Sequence, residues 1–323
     1  MTDAAAPSHG APTHGAPPPT ASLNPMQQAV LDVLARPAGW TPLPGSVVEA
    51  IRAQVVEGLA PIKDAFTPEE PLFVTKGALA HVHACEAHYL AQLGRFAWTV
   101  ENARGTVVHK AIELAIHWRG PIEPAEVVDE AIARLSDEEG HGPSDFLEQL
   151  RPADRAQLRS YAVDRFTKFD ECFPPLKPAW RPVTESSARV DLHGGAVRLS
   201  TRVDLTLGAP GGKVIIDLKS GRIHPQHRED LRFYALVDAL RSGQAPRLLA
   251  TYSLDAARAD VEDVTEGVLQ AAARRLVDGA LAMAAVRREE REARRTAGPP
   301  CRWCPIADDC AQGAAYLAGP AED

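Results

Sequence analysis

"RVDLTLGAPGGKVIIDLKSG", residues 202–221, contains two short apolar runs separated by a Gly- and Pro-rich break, and its charged positions decide how the chain folds. Val214, Ile215, Ile216 and Leu218 read as a buried strand, yet Asp217 and Lys219 interrupt them before Ser220 and Gly221 end the run. Alternate side chains of a strand share a face, so Asp217 and Lys219 point one way while Val214, Ile216 and Leu218 point into a core. The run before it repeats the arrangement, with Asp204 opposing Val203, Leu205 and Leu207. "GAPGG" at 208–212 is a turn signal. If that turn sets the two runs side by side, Asp204 lies close to Asp217. Two crowded carboxylates repel, and one keeps its proton unless a cation intervenes. Hard oxygen ligands suit Mg²⁺ or Mn²⁺. Lys219 would then face the same phosphate and stabilise developing negative charge. The competing reading is a structural Asp217–Lys219 ion pair, because D-x-K is short enough to recur by chance.

Outward from this stretch, "TESSARVDL" and "AVRLSTRVDLTL" supply two further β-like runs, separated by Gly194 and Gly195. A helix follows over 228–243, then a short strand over 246–254. A long helix is expected from about 261 to 295, ending in "RREEREARR", which reads as a solvated helix end of mixed charge. Residues 26–180 show apolar spacing of three and four in "NPMQQAVLDVLA", "GSVVEAIRAQVVEGL", "TKGALAHVHACEAHYLAQL" and later stretches, and read as mostly helical. Residues 1–25, rich in Ala, Pro, His and Gly, read as a disordered tail. The expected organisation is one integrated α/β domain from 26 to 323. Its helical N-terminal part spans 26–180, and a mixed sheet flanked by helices spans 181–323.

Of the 323 residues, 45% are hydrophobic and 24% charged, as in a globular protein with a sizeable core. No long uncharged apolar run suggests a membrane span, and no basic region followed by an apolar stretch suggests a secretory signal, so a cytoplasmic location is expected. The net charge of −8 argues against broad adhesion to nucleic acid but not against a local basic groove.

The helix "RGTVVHKAIELAI" puts Gly105, His109 and Glu113 on one face, with Gly105 expected to admit a close backbone approach. Apolar neighbours suggest that His109 is half-buried. It is either a core histidine or a further metal ligand. Glu185 reads as support for the site or as a surface carboxylate. "CRWCPIADDC" places Cys301, Cys304 and Cys310 close together, a metal signal that needs a fourth ligand. Cys85 and Cys172 are the spare thiols. His81, His83 and His88 flank Cys85, so a Cys₃His zinc site competes with an all-thiolate iron–sulfur site.

The ordered set of G-x3-H on a helix, "RVD", "DLK" and "LRFYAL" resembles the RecB-like branch of the PD-(D/E)XK nuclease family. The resemblance spans roughly residues 75–310 and implies a restriction-endonuclease-like sheet. It implies metal ligation by His109, Asp204, Asp217 and the Leu218 carbonyl, with Lys219 catalytic. It further implies DNA as partner, at single strands or duplex ends, and a metal-dependent exonuclease or end-processing role in repair, recombination or defence. Members of the AddB and CRISPR-associated adaptation type hold a [4Fe–4S] cluster with one upstream and three C-terminal cysteines, which maps onto Cys85, Cys301, Cys304 and Cys310. Cys172 then reads as an ordinary buried thiol. Where the family places Q-x3-Y, Tyr234 fits but Asp230 stands in place of Gln. That departure leaves room for a non-catalytic DNA-binding scaffold as the second reading. A redox protein using the cluster is a third. With no G-x4-G-K-[ST] stretch, a helicase or other DNA-processing motor would be a separate partner.

Overall fold

The structure is a computed structural model describing residues 22–118, 120–138 and 142–319. The N-terminal tail lies, through residue 21, outside the described residues. Helices α1 (Pro25–Leu34) and α2 (Gly45–Leu59) lead to a short strand, β1 (Leu72–Val74). Next come α3 (Lys76–Ala84), α4 (Glu86–Gln92), α5 (Val100–Ile116), α6 (Pro124–Asp137), α7 (Ser144–Gln149) and α8 (Pro152–Cys172). Strands β2 (Val183–Leu192), β3 (Val197–Leu207) and β4 (Val214–Lys219) precede the crossover helix α9 (Gln226–Ser242). The chain closes with β5 (Leu248–Ser253), β6 (Arg258–Asp263), α10 (Glu266–Arg287) and α11 (Ala311–Ala318).

Local chemistry explains the boundaries. Thr75, Thr99 and Thr265 each accept a backbone N–H at the start of α3, α5 and α10, and Asn102 completes a capping box at α5. Gly243, at φ 72, ends α9 in the left-handed conformation.

The sheet is mixed. β2 pairs antiparallel with β3 along almost its whole length. β1 pairs parallel with the start of β3, and β4 pairs antiparallel with its end. β5 lies parallel to β4, as a helical crossover allows, and β6 closes the edge antiparallel. One core packs α2, α3, α9 and α10 against the sheet. The other packs α1, α5, α6 and α8 against the face carrying Leu205, Ile216, Leu218 and Ala250.

The three β-like runs between 183 and 219, the helix after them and the next strand all form near their expected places. Four features differ from expectation. Residues 72–74 add β1 inside the stretch read as helical. The stretch 75–93 breaks at Cys85, whose backbone is extended at φ −163 and ψ 118. Residues 258–263 form β6, so α10 starts later, at Glu266. Finally, α10 stops at Arg287, and the charged run beyond it is not a solvated helix end. Arg291 and Arg294 instead bind the carboxylate of Glu86, which is 2% exposed, and hold residues 291–294 against the start of α4.

Candidate active site

The register of β3 and β4, with Leu205 opposite Ile216, brings Asp204 next to Asp217 where the two strands part. Asp204 Oδ2 accepts the backbone N–H of Leu218 at 2.7 Å, tying one strand end to the other. Asp217 is 0% exposed, and among the described residues its oxygens have no hydrogen-bond donor other than the Lys219 ammonium. Lys219 Nζ lies 2.7 Å from Oδ2 as a close ion pair, and Lys76 Nζ stands 3.8 Å from Oδ1.

From α5, His109 reaches over the strand ends. Its Nε2 is 3.0 Å from the Leu218 carbonyl oxygen, and its Nδ1 is 3.4 Å from Asp204 and 3.7 Å from Glu185. Ligand atoms of His109, Glu185 and Asp204 all lie within 4.8 Å of one another, a spacing suited to one cation. Asp217 is outside that trio, and the Leu218 carbonyl faces His109. A Cβ at Gly105 would meet only Ser220 Oγ, at 3.6 Å, an ordinary contact, so the approach there does not depend on glycine.

Electrostatics separate the two aspartates. Burial opposes a charge on His109, but the Asp204 charge and hydrogen bond, with Glu185, outweigh it and raise the ring to about 9. Burial would raise Asp204 too, yet His109, Lys219 and the Leu218 N–H hold it well below the usual carboxylate range. Asp217 goes the other way. Burial pushes its carboxyl up against the charge of Lys219, with Asp204 adding to the rise and Lys76 opposing it. A desolvated carboxylate paired only with ammonium groups, close to a second carboxylate that an imidazole faces, is the donor chemistry that a hard divalent cation satisfies.

The sequence did not single out Lys76, and it left Glu185 as either site support or a surface carboxylate. Lys76 opens α3 and was read only as part of a helix. Glu185 sits inside β2, not before it, and takes a left-handed backbone at φ 49. Ser186 opposite Val203 and Thr184 opposite Leu205 are paired across β2 and β3, but Glu185 is skipped. At the same level Val203 packs in one core and Leu205 in the other, so the expected simple alternation along β3 breaks at Asp204. A strained non-glycine residue at such a point is typical of functional sites.

The cleft has a volume of about 660 Å³, and Thr75, Lys76, Trp98, His109, Glu185 and Tyr234 are among its lining residues. Tyr234 is buried on α9, its hydroxyl pushed up by burial and by the charges of Asp217, Asp204 and Asp230. Asp230 accepts a hydrogen bond from Gln226 at 3.2 Å. Beyond the cleft wall, Phe96 packs edge-on to Trp98 with 5.0 Å between ring centres, and Phe96 is 70% exposed. Tyr161 and Arg165 of α8 both donate to the Ser220 carbonyl, fixing the loop after Lys219.

Cys85, Cys301, Cys304 and Cys310 line one small cavity, together with His88, and Cys172 is not among its lining residues. The extended backbone of Cys85 turns its sulfur toward the incoming C-terminal segment, where the Thr296 N–H lies 3.4 Å from Sγ. The Gly298 N–H approaches Cys301 Sγ at the same distance. Backbone N–H groups aimed at sulfur suit thiolates. Among the described residues, no three of these sulfurs crowd within 4.8 Å, whereas four thiolates on zinc, at about 2.3 Å each, would sit closer together. His81 stacks on His88 with ring centres 4.8 Å apart, and His83 bonds the Arg275 carbonyl instead.

The family model of the PD-(D/E)XK nuclease superfamily matches residues 74–311. No curated protein matches the chain. Among solved structures, a protein from Eubacterium rectale called "Putative exonuclease" is 12% identical, with 79% of this chain and 90% of that one covered at a TM-score of 0.43. The protein SSO0001 is 10% identical, with 81% and 96% covered at a TM-score of 0.33. Among the described residues, no helix is long and apolar enough to cross a membrane.

Proposed function

The chain belongs to the PD-(D/E)XK nuclease superfamily, with the restriction-endonuclease-like mixed sheet flanked by helices, and from that premise we propose that it hydrolyses DNA phosphodiester bonds using Mg²⁺ or Mn²⁺. The observation that carries this reading is Asp217, a fully buried carboxylate held only by lysine ammonium groups among the described residues, beside Asp204 at the edge of a cleft. Asp204, Asp217, His109 and the Leu218 carbonyl would hold the cation, with Glu185 as an additional carboxylate. When bound, that cation supplies an activated water and neutralises charge at the leaving oxygen. Lys219 contributes a fixed ammonium beside the attacked phosphate. Asp204 fixes the orientation of His109, and its bond to the Leu218 N–H fixes the strand end that carries Lys219.

The favoured substrates are single strands or duplex ends, cut in an exonuclease or end-processing mode. The Phe96–Trp98 pair supports this, because exposed aromatic rings beside a cleft offer stacking surfaces to unpaired bases. Cys85, Cys301, Cys304 and Cys310 would hold a [4Fe–4S] cluster. Their shared cavity and the N–H groups aimed at two of the sulfurs support that assignment.

The test pairs defined DNAs with single-site variants. With Mg²⁺ or Mn²⁺ the protein should cut single-stranded, 5′-tailed, 3′-tailed or blunt DNA, and Asp217→Ala and Lys219→Ala should each lose cleavage while staying folded. Undiminished cleavage in either variant would overturn the site. Protein purified without oxygen should be brown and carry about four irons per chain. Each of the four cysteines, but not Cys172, should be required. Stoichiometric zinc without iron would replace the cluster with a structural zinc site.

A further inference from the structure

Lys76 stands at an unfavourable place in its own helix. It occupies the first turn of α3, where the helix dipole disfavours a positive charge. Its ammonium has no hydrogen-bonded partner among the described residues; it stands 3.8 Å from Asp217 Oδ1 and 5.0 Å above the ring of Tyr234. The side chain is 36% exposed and lines the cleft, so the charge borders both the buried carboxylate and open solvent. Lys219 takes the other oxygen of Asp217. The groups facing this pair of lysines are Asp217 and Asp204 from the sheet and His227, Asp230 and Tyr234 from α9. Burial holds His227 neutral, at about 4, and the charges of Lys219 and Lys76 add to that effect. Asp230, where the resembled family has an amide, bonds Gln226 on the same helix and is not among the cleft's lining residues.

We propose that Lys76 is a second phosphate-binding cation of the cleft, which neutralises Asp217 in the free protein and moves to a backbone phosphate of the nucleic acid when a divalent cation takes that carboxylate. The inference rests on the nuclease reading above and deepens it by assigning a residue to substrate capture. The freedom of Lys76 to move follows from its partial exposure and from having only one ion-pair partner.

Two effects of opposite sign are expected. Removing the charge frees Asp217 from a competing cation, so Lys76→Gln should bind Mn²⁺ more tightly than the wild type in calorimetry without nucleic acid. The same variant should bind a cleavage-resistant phosphorothioate single strand more weakly in the presence of Mn²⁺. The slope of log affinity against log salt should become shallower by about 0.7, the contribution of one phosphate contact on a single strand. Lys76→Arg should restore the slope. Weaker Mn²⁺ binding in Lys76→Gln, or an unchanged salt slope, would overturn the assignment, and the first result would mark a merely structural role. The two readings fail separately. A wild type that binds the strand but cuts no DNA defeats the nuclease reading alone. A wild type that cuts, with a Lys76→Gln slope equal to its own, defeats the role of Lys76 alone.

Discussion

At the scale of single residues, Asp217 is a fully buried carboxylate whose pKa burial raises, and among the described residues only lysine ammonium groups offset its charge. Such a group costs folding free energy and is kept only for what it binds. Asp217→Asn should therefore eliminate cleavage yet leave the chelator-treated protein at least as stable, gaining about 1 kcal/mol in thermal unfolding. A clear loss of stability would instead favour the structural Asp217–Lys219 pair that the sequence also allows. Asp217, Lys219 and His109 share the site as alternation along a strand and the helical repeat suggest, and the turn at 208–212 brings Asp204 beside them although alternation along β3 breaks there. Lys76 was not legible, and Glu185 was left between site support and a surface carboxylate. Lys76 joins the cleft across a helix start and a distant strand end. Glu185 turns inward only because its backbone is left-handed at one point opposite Asp204, which no periodicity reports.

At the scale of elements, long amphipathic helices and the β2–β3–β4 meander left clear patterns, whereas β1 and β6 did not. β1 has three residues, and β6, "RADVED", is a largely polar edge strand whose composition resembles a helix start. The charged run after α10 was misread because mixed charges at helical spacing look alike on a solvated helix and in a chain segment bound by a buried acid. Its role as a strap depends on Glu86, whose carboxyl is brought to about 2 chiefly by its hydrogen bonds to Arg291, against burial, with Arg294 adding to the effect. Glu86→Ala should cost about 1–3 kcal/mol in denaturant unfolding and speed proteolysis between residues 288 and 298. Unchanged protection of that segment would show that the strap is held by something else.

At the scale of the whole molecule, two devices join the same distant parts of the chain: the Glu86 strap and the four-cysteine cavity. Closing so long a loop with one cross-link would stabilise by about 4–5 kcal/mol if nothing else closed it. If the four cysteines hold the proposed cluster, its loss in Cys304→Ser should cost less than that, because the strap already closes the loop. Combined with Glu86→Ala, the loss should exceed the sum of the single losses in unfolding of anaerobically prepared protein. Strict additivity would show that the two closures act independently. A different long-range tie concerns the other end of the chain. Arg247, 4% exposed, donates to the carbonyls of Leu34 and Ala35 at the end of α1, and Val30 and Leu34 sit in the core that backs the sheet. Helix α2 contributes Val48, Ile51, Val55 and Leu59 to the opposite core. A chain trimmed to begin at residue 74, where the family likeness starts, would strand a buried guanidinium and uncover both faces of the sheet. Recognisable ancestry and the smallest stable cut of this protein thus have different boundaries, and the second begins at α1.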